Sequence, residues 1–124
     1  MEALAILKRG ELAAPDLIVS ECANILWKKW RRDELSKDEA LMAARVLEQA
    51  EIELIASRTL LAAATALAIE IDHPAYDCLY LALALERGAN FITADDRLIR
   101  KLAQQKPERL AKLAIPLMTT EASE

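Results

Sequence analysis

Four acidic side chains in this 124-residue sequence stand where carboxylates are costly unless something compensates them. Asp95 and Asp96 follow directly on the β-prone run NFITA (90–94), and in an open α/β sheet ligands bind beyond the carboxyl ends of the strands. Asp77 lies near the amino-terminal turn of a segment that is otherwise almost wholly apolar. An ionised carboxylate there needs a metal, a hydrogen bond or the positive end of a helix. Glu21 is preceded by Leu17, Ile18 and Val19 and followed by Cys22, Ala23, Ile25 and Leu26. Carboxylates converging from separate elements repel one another, and a hard divalent cation is the usual remedy. Mg2+ or Mn2+ takes oxygen ligands and keeps several waters. Such a centre activates water and stabilises charge on a scissile phosphate.

Each acid also has a plainer reading. Asp95 or Asp96 can cap the helix that begins near Arg97. Asp77 can be a surface acid stabilised by a helix dipole, and most glutamates on helices, Glu21 included, are solvated.

The elements that must position these residues follow from the apolar pattern and its punctuation. MEALAILK (1–8) reads as a helix ending at Gly10, with Lys8 and Arg9 in its last turn. ELAAP (11–15) suits a brief strand, and Pro15 opens a helix from Asp16 to about Arg32 on which Leu17, Glu21, Asn24 and Lys28 share a face. Ser36 and Glu39 form a capping box for a helix running to about Ala50, and IELIAS (52–57) reads as a strand. Thr59 to Glu70 is an alanine- and leucine-rich helix. After IDHP, a further helix from Ala75 to Arg87 stops at Gly88. The strand NFITA, a helix from Arg97 to about Gln104 and a last strand from Ile115 to Met118 complete the series. Strands alternating with helices predict an α/β fold with a mostly parallel sheet and right-handed crossovers.

The whole-chain properties set the limits of any function. The length suits a single domain over residues 1–124, and 54% apolar residues with only two glycines predict a compact, helix-rich core. A net charge of −4 argues against a protein that coats nucleic acid through its overall field, although a local basic patch stays open. Cys22 and Cys78 form no CxxC pair, and one histidine adds too few soft ligands for structural zinc. Both cysteines are expected to be buried small hydrophobes in a reducing cytosol. No apolar run approaches the roughly 18 residues of a membrane span, and the opening residues lack signal-peptide character, so a cytoplasmic protein is expected.

Two segments carry a resemblance. APDLIVSECANILWKKWRRDEL (14–35) is similar to the second-helix region of VapC-type PIN domains, and HPAYDCLYLALALERGANFITADDRL (73–98) resembles that family more closely still. The resemblance implies a three-layer α/β fold with helices on both faces of the sheet. It also implies an acidic metal cluster of Glu21, Asp77 and Asp95, with Asp96 as an adjoining ligand and Asn24 and Thr93 in support. By the same resemblance the chain would be a Mg2+- or Mn2+-dependent endoribonuclease, the dimeric toxin of a toxin–antitoxin pair, with an RNA substrate and an antitoxin protein as partners.

The sequence departs from the family at its start. PIN domains open with an apolar strand ending in an aspartate followed by a small residue and serine or threonine, and residues 1–10 show no such pattern. The resemblance therefore implies that the first strand and its aspartate, a stretch of roughly twenty residues, have no counterpart here. The strands on either side would be left with unpaired backbone groups, and one metal ligand would be lost. On this basis the chain is expected to cleave RNA poorly. The alternative is a catalytically incompetent PIN-like module that binds an antitoxin or itself.

Three further features invite a role. WKKWRR (27–32) mixes cations and aromatics suited to RNA, while the same cations suit a helix carboxyl end and the tryptophans a neighbouring subunit. His73, beside Pro74, is read as a turn residue in preference to a base. Cys22 and Cys78 each follow a candidate acid, point away from its face of the helix and are assigned to packing.

Overall fold

The computed structural model describes residues 3–6, 12–93, 95–104, 108–111 and 113–116. Its five strands form one sheet in the order β3-β2-β1-β4-β5: β1 is Ala3–Ile6, β2 Leu12–Pro15, β3 Ile52–Ile55, β4 Asn90–Thr93 and β5 Ala114–Pro116. β2 and β3 are parallel, as are β4 and β5, whereas β1 runs antiparallel to both β2 and β4. Four strands thus point one way and β1 alone points the other, so the expected mostly parallel sheet is present. The carboxyl ends of β2, β3 and β4 consequently lie along one edge.

The opening helix expected over residues 1–10 is overturned. Ala3–Ile6 is the middle strand, pairing Ala3 with Thr93, Leu4 with Ile92 and Ala5 with Phe91 on one side, and Ala5 with Ala13 on the other. Alanine and leucine favour helix only weakly as single residues, and a slot between two strands satisfies the backbone groups of a short apolar run on both edges. Gly10 lies outside the described residues.

Between the strands the expected helices form, with shifts of a residue or two at their ends. α1 is Ile18–Arg31 and α2 Lys37–Glu48; a 3-10 turn, Ser57–Leu60, leads into α3, Leu61–Ile71. α4 is Ala75–Arg87 and α5 Asp96–Ala103, and a short α6, Glu108–Ala111, was not anticipated from sequence. The capping box closes α2 as expected: Glu39 N–H donates to Ser36 Oγ (3.1 Å) and Ser36 N–H to Glu39 Oε1 (2.8 Å). Gly88 ends α4 in the left-handed region at φ 62°, where a β-carbon is disfavoured. The last strand is observed at Ala114–Pro116, and Leu117 and Met118 lie outside the described residues.

α4 is the central pillar. It packs against α3, β1, β2 and β4 and buries Asp77, Cys78, Tyr80, Leu81, Ala82, Leu83 and Ala84. The small, fully buried Ala13 and Ala14 of β2 let this helix close on the sheet, and Tyr80 stacks on Phe91 of β4 with ring centroids 5.4 Å apart. Arg87 at its far end makes a bidentate pair with Glu53 of β3, both contacts at 3.0 Å. A helix buried on nearly every side is where a carboxylate is least expected, and Asp77 is in its first turn.

α1 and α2 differ sharply from α4. They pack against each other, and neither has a buried residue. Between them and β3 lies an apolar cavity of about 650 Å³ whose lining includes Ile18, Cys22, Leu26, Leu41, Leu47 and Leu54. Cys22 is therefore only partly buried, which corrects the expectation that both cysteines sit in the core; Cys78 does, at 0% exposure.

Candidate metal centre

Three donor atoms converge at the sheet edge, one each from His73, Asp77 and Asp95, all within 4.8 Å of one another. They come from three local devices. α3 ends at Asp72, which adopts the left-handed conformation at φ 51°, and Pro74 then starts α4. This tight corner sets His73 one helical turn before Asp77, and its Nε2 lies 2.7 Å from Asp77 Oδ2. On the other side, β4 delivers Thr93 and Asp95. The Asp95 N–H donates to the Thr93 hydroxyl at 3.0 Å, a local bond that shapes the turn, and Thr93 is fully buried.

Asp95 caps α5, one of the two roles the sequence left open, and its position also leaves it beside His73 and Asp77. Its Oδ1 accepts from the N–H groups of Arg97 (3.0 Å) and Leu98 (3.2 Å), capping α5. Oδ2 takes no part in that cap, so the carboxylate caps the helix and still contributes to the cluster.

Asp77 is 6% exposed, and its Oδ1 is buried with no hydrogen-bond partner. Leaving a carboxylate oxygen orphaned in a protein interior costs on the order of 1–3 kcal/mol or more, and native folds rarely tolerate it without water or an ion. The neighbouring Asp95 carboxylate makes the same demand through like charge. The donor set and the orphaned oxygen together fit a divalent cation: carboxylate oxygens from Asp77 and Asp95, with the His73 ring beside them.

Glu21 is held separately. Its Oε1 accepts a hydrogen bond from the Tyr80 hydroxyl, one turn along α4 from Asp77. Burial pushes the Tyr80 hydroxyl far above its ordinary range, reinforced by the hydrogen bond to Glu21 and by the negative charges of Glu21 and Asp77. Tyr80 therefore stays a protonated donor and lies within the field of both acids. Tyr80 is not among the candidates the sequence suggests, and His73 does lie in the turn expected for it, with the added contact to Asp77. The signal for both was spacing, since positions three after and four before Asp77 share its face of the helix.

The remaining expected residues are exposed. Asp96 sits in the first turn of α5 and Asn24 on α1, and neither belongs to the three-residue cluster found among the described residues. Asp16, just beyond β2, serves the fold: its Oδ1 accepts from the Ser57 hydroxyl (2.5 Å) and N–H (3.1 Å), tying the end of β2 to the end of β3. Those bonds hold its carboxyl below the usual range. Trp27 and Trp30 are half-exposed on α1, with the Arg31 guanidinium 5.3 Å from the Trp27 ring centroid. No helix among the described residues is long and apolar enough to cross a membrane.

Comparison with known proteins identifies the family. The family model described as PIN domain matches residues 1–104. The chain is also similar to Ribonuclease VapC3 of Pyrobaculum aerophilum, with 34% identity over 102 residues covering 78% of this chain and 76% of that protein. A match over most of the length, together with that identity, shows that the chain belongs to the PIN-domain family and is of the VapC type.

Proposed function

We propose that this protein is a metal-dependent endoribonuclease, the toxin of a VapC-type toxin–antitoxin module. The observation that carries this reading is the buried, unpartnered Oδ1 of Asp77 beside Asp95 at the carboxyl edge of the sheet. The similarity to a ribonuclease supports it. Asp77 and Asp95 would hold the divalent cation, Mg2+ or Mn2+. When bound, that cation supplies an activated water and charge stabilisation at the scissile phosphate. Tyr80 holds the carboxylate of Glu21, which would orient the water or accept its proton. Thr93 fixes the backbone at Asp95, and the α5 cap fixes its side chain. Asp96 and Asn24, exposed nearby in sequence to the cluster residues and to Glu21, are assigned to supporting contacts with metal-bound water or RNA.

The partners follow from the same reading: an RNA substrate, an antitoxin protein that silences the site, and a second copy of the chain in the cytoplasm. Self-association is supported by the half-exposed Trp27 and Trp30 and by the apolar face of α1 and α2.

One observation favours the second reading, a PIN module that binds without cleaving. Among the described residues, the middle strand, Ala3–Ile6 (ALAI), holds no carboxylate. Cleavage of single-stranded RNA by the 124-residue chain separates the two. Slow cleavage that is abolished by a chelator and by Asp77→Asn is expected. Equal rates for the parent and Asp77→Asn would overturn the nuclease and leave the binding module.

A further inference from the structure

His73 is the single histidine of the chain, and it is built into the centre. Its backbone N–H is bonded to the Ala68 carbonyl (3.2 Å), and the preceding residue, Asp72, has its carbonyl held by Lys101 Nζ at 2.6 Å. The corner between α3 and α4 is thus fastened both to its own helix and to α5. The imidazole is only 12% exposed and the Asp77 side chain 9%, so the ring has been withdrawn from water into the acid site. Its side chain contacts Asp77 Oδ2 there, so the ring faces the buried carboxylate.

The geometry suits coordination. An octahedral first-row cation with ligands at about 2.1 Å separates its donors by about 3 Å at right angles and about 4 Å across the ion. The donor atoms of His73, Asp77 and Asp95 already lie within 4.8 Å of one another. A neutral imidazole can carry its proton on Nδ1 and present the Nε2 lone pair. The nitrogen now 2.7 Å from Asp77 Oδ2 can therefore face an ion shared with that carboxylate.

We propose that His73 is a nitrogen ligand of the metal centre, giving a mixed nitrogen–oxygen donor set that selects Mn2+ and the later first-row ions over Mg2+. This rests on the reading that Asp77 and Asp95 hold a divalent cation. Imidazole ranks above oxygen donors for transition ions, whereas Mg2+ prefers oxygen and water, so one nitrogen shifts the selectivity of an otherwise all-oxygen site.

Pulsed electron paramagnetic resonance of the full chain loaded with Mn2+ reads nitrogen coupling to the ion directly. Coupling is expected in the parent and absent in His73→Gln, with Mn2+ affinity falling about tenfold and Mg2+ affinity, read by competition, changing much less. Glutamine keeps an N–H able to bond Asp77, so the variant removes the ligand while sparing the positioning contact. Thermal unfolding without metal checks that it folds, and the parent spectrum decides the question even if it does not. Bound Mn2+ without nitrogen coupling in the parent overturns the role of His73 and leaves the carboxylate site standing. A parent chain that binds no more Mn2+ than Asp77→Asn overturns both.

Discussion

Tyr80 donates its phenolic hydrogen to Glu21 Oε1, joining the middle of α4 to the first turn of α1 across 59 positions of sequence. The bond ties the loosely packed α1 to the core helix. It acts on the one candidate acid of the α1 segment, which lies outside the His73, Asp77 and Asp95 cluster.

Tyr80→Phe therefore tests that link with almost no change in volume. Glu21 is only partly buried and can recover a bond to water, so the expected loss of stability is about 1–2 kcal/mol, the range for a hydrogen bond to a charged group. Freed from its donor, Glu21 loses its fixed orientation, and RNA cleavage should fall by about tenfold or more while Mn2+ binding at Asp77 and Asp95 persists. Denaturant unfolding and cleavage rates, measured side by side, check both halves. An unchanged cleavage rate would remove Glu21 from the reaction.

The observed cap of Asp95 and the metal role proposed for it can be separated by two substitutions. Asparagine caps helices about as well as aspartate, so Asp95→Asn should keep the bonds to Arg97 and Leu98 and cost within about 0.5 kcal/mol. It nevertheless removes a charged ligand and should weaken metal binding severely. Asp95→Ala should show the same binding defect together with a further loss of about 1 kcal/mol from the missing cap. If Asp95→Asn binds metal as the parent does, Asp95 is a cap alone.

Much of this architecture was legible in the sequence, and what was not has identifiable causes. Pro74, Gly88 and the Ser36–Glu39 box mark helix ends by local stereochemistry, which operates in the same way in any fold, whereas Pro15 proves to be the last residue of β2, three before α1 begins. The strand Ala3–Ile6 is different, because its state is decided by β2 and β4, neither of which can be inferred from ALAI itself. The acids at 77 and 95 stood out because a carboxylate in an apolar segment is conspicuous. The contacts of His73 and Tyr80 with Asp77 and Glu21 were not legible, because a histidine before proline reads as a turn, which it is, and a tyrosine within LYLALAL reads as core. Tyr80 is indeed core, at 0% exposure, and its hydroxyl alone carries the connection to Glu21.

The buried groups around the site also predict how stability responds to alkali. Burial, and then the nearby Asp77 charge, push the Cys78 thiol from its ordinary 9.0 to about 11, with Lys101 opposing the shift. In the unfolded chain the thiol releases its proton first, so the unfolded state binds fewer protons across this interval and stability falls as pH rises. The contribution is complete below about pH 9 and lost on the way to pH 11. Tyr80, raised by burial and by Glu21, extends the decline above its ordinary 10.0. Cys78→Ala should flatten the fall between about pH 9 and the 10.0 at which tyrosine joins in, whatever its effect on absolute stability, as read from denaturant midpoints at stepped pH. A slope identical to that of the parent would show that the thiol ionises normally in the fold.

Asp77 offers the sharpest test, because its orphaned oxygen ties metal binding to stability. A cation that binds only the folded chain adds about 2.7 kcal/mol at a hundredfold excess over its dissociation constant. In the parent, Mn2+ should raise the unfolding midpoint accordingly, and a chelator should reverse the gain. Asp77→Asn removes the charge that attracts the ion while nearly preserving shape, so its midpoint should no longer respond to Mn2+. Asp72→Asn is the matched control. Asp72 is exposed, its φ of 51° lies in a region asparagine tolerates well, and it contributes only a backbone carbonyl to Lys101. A full Mn2+ response in Asp72→Asn and none in Asp77→Asn places the ion at the buried carboxylate. Equal responses in the two would mean that the cation acts elsewhere on the chain.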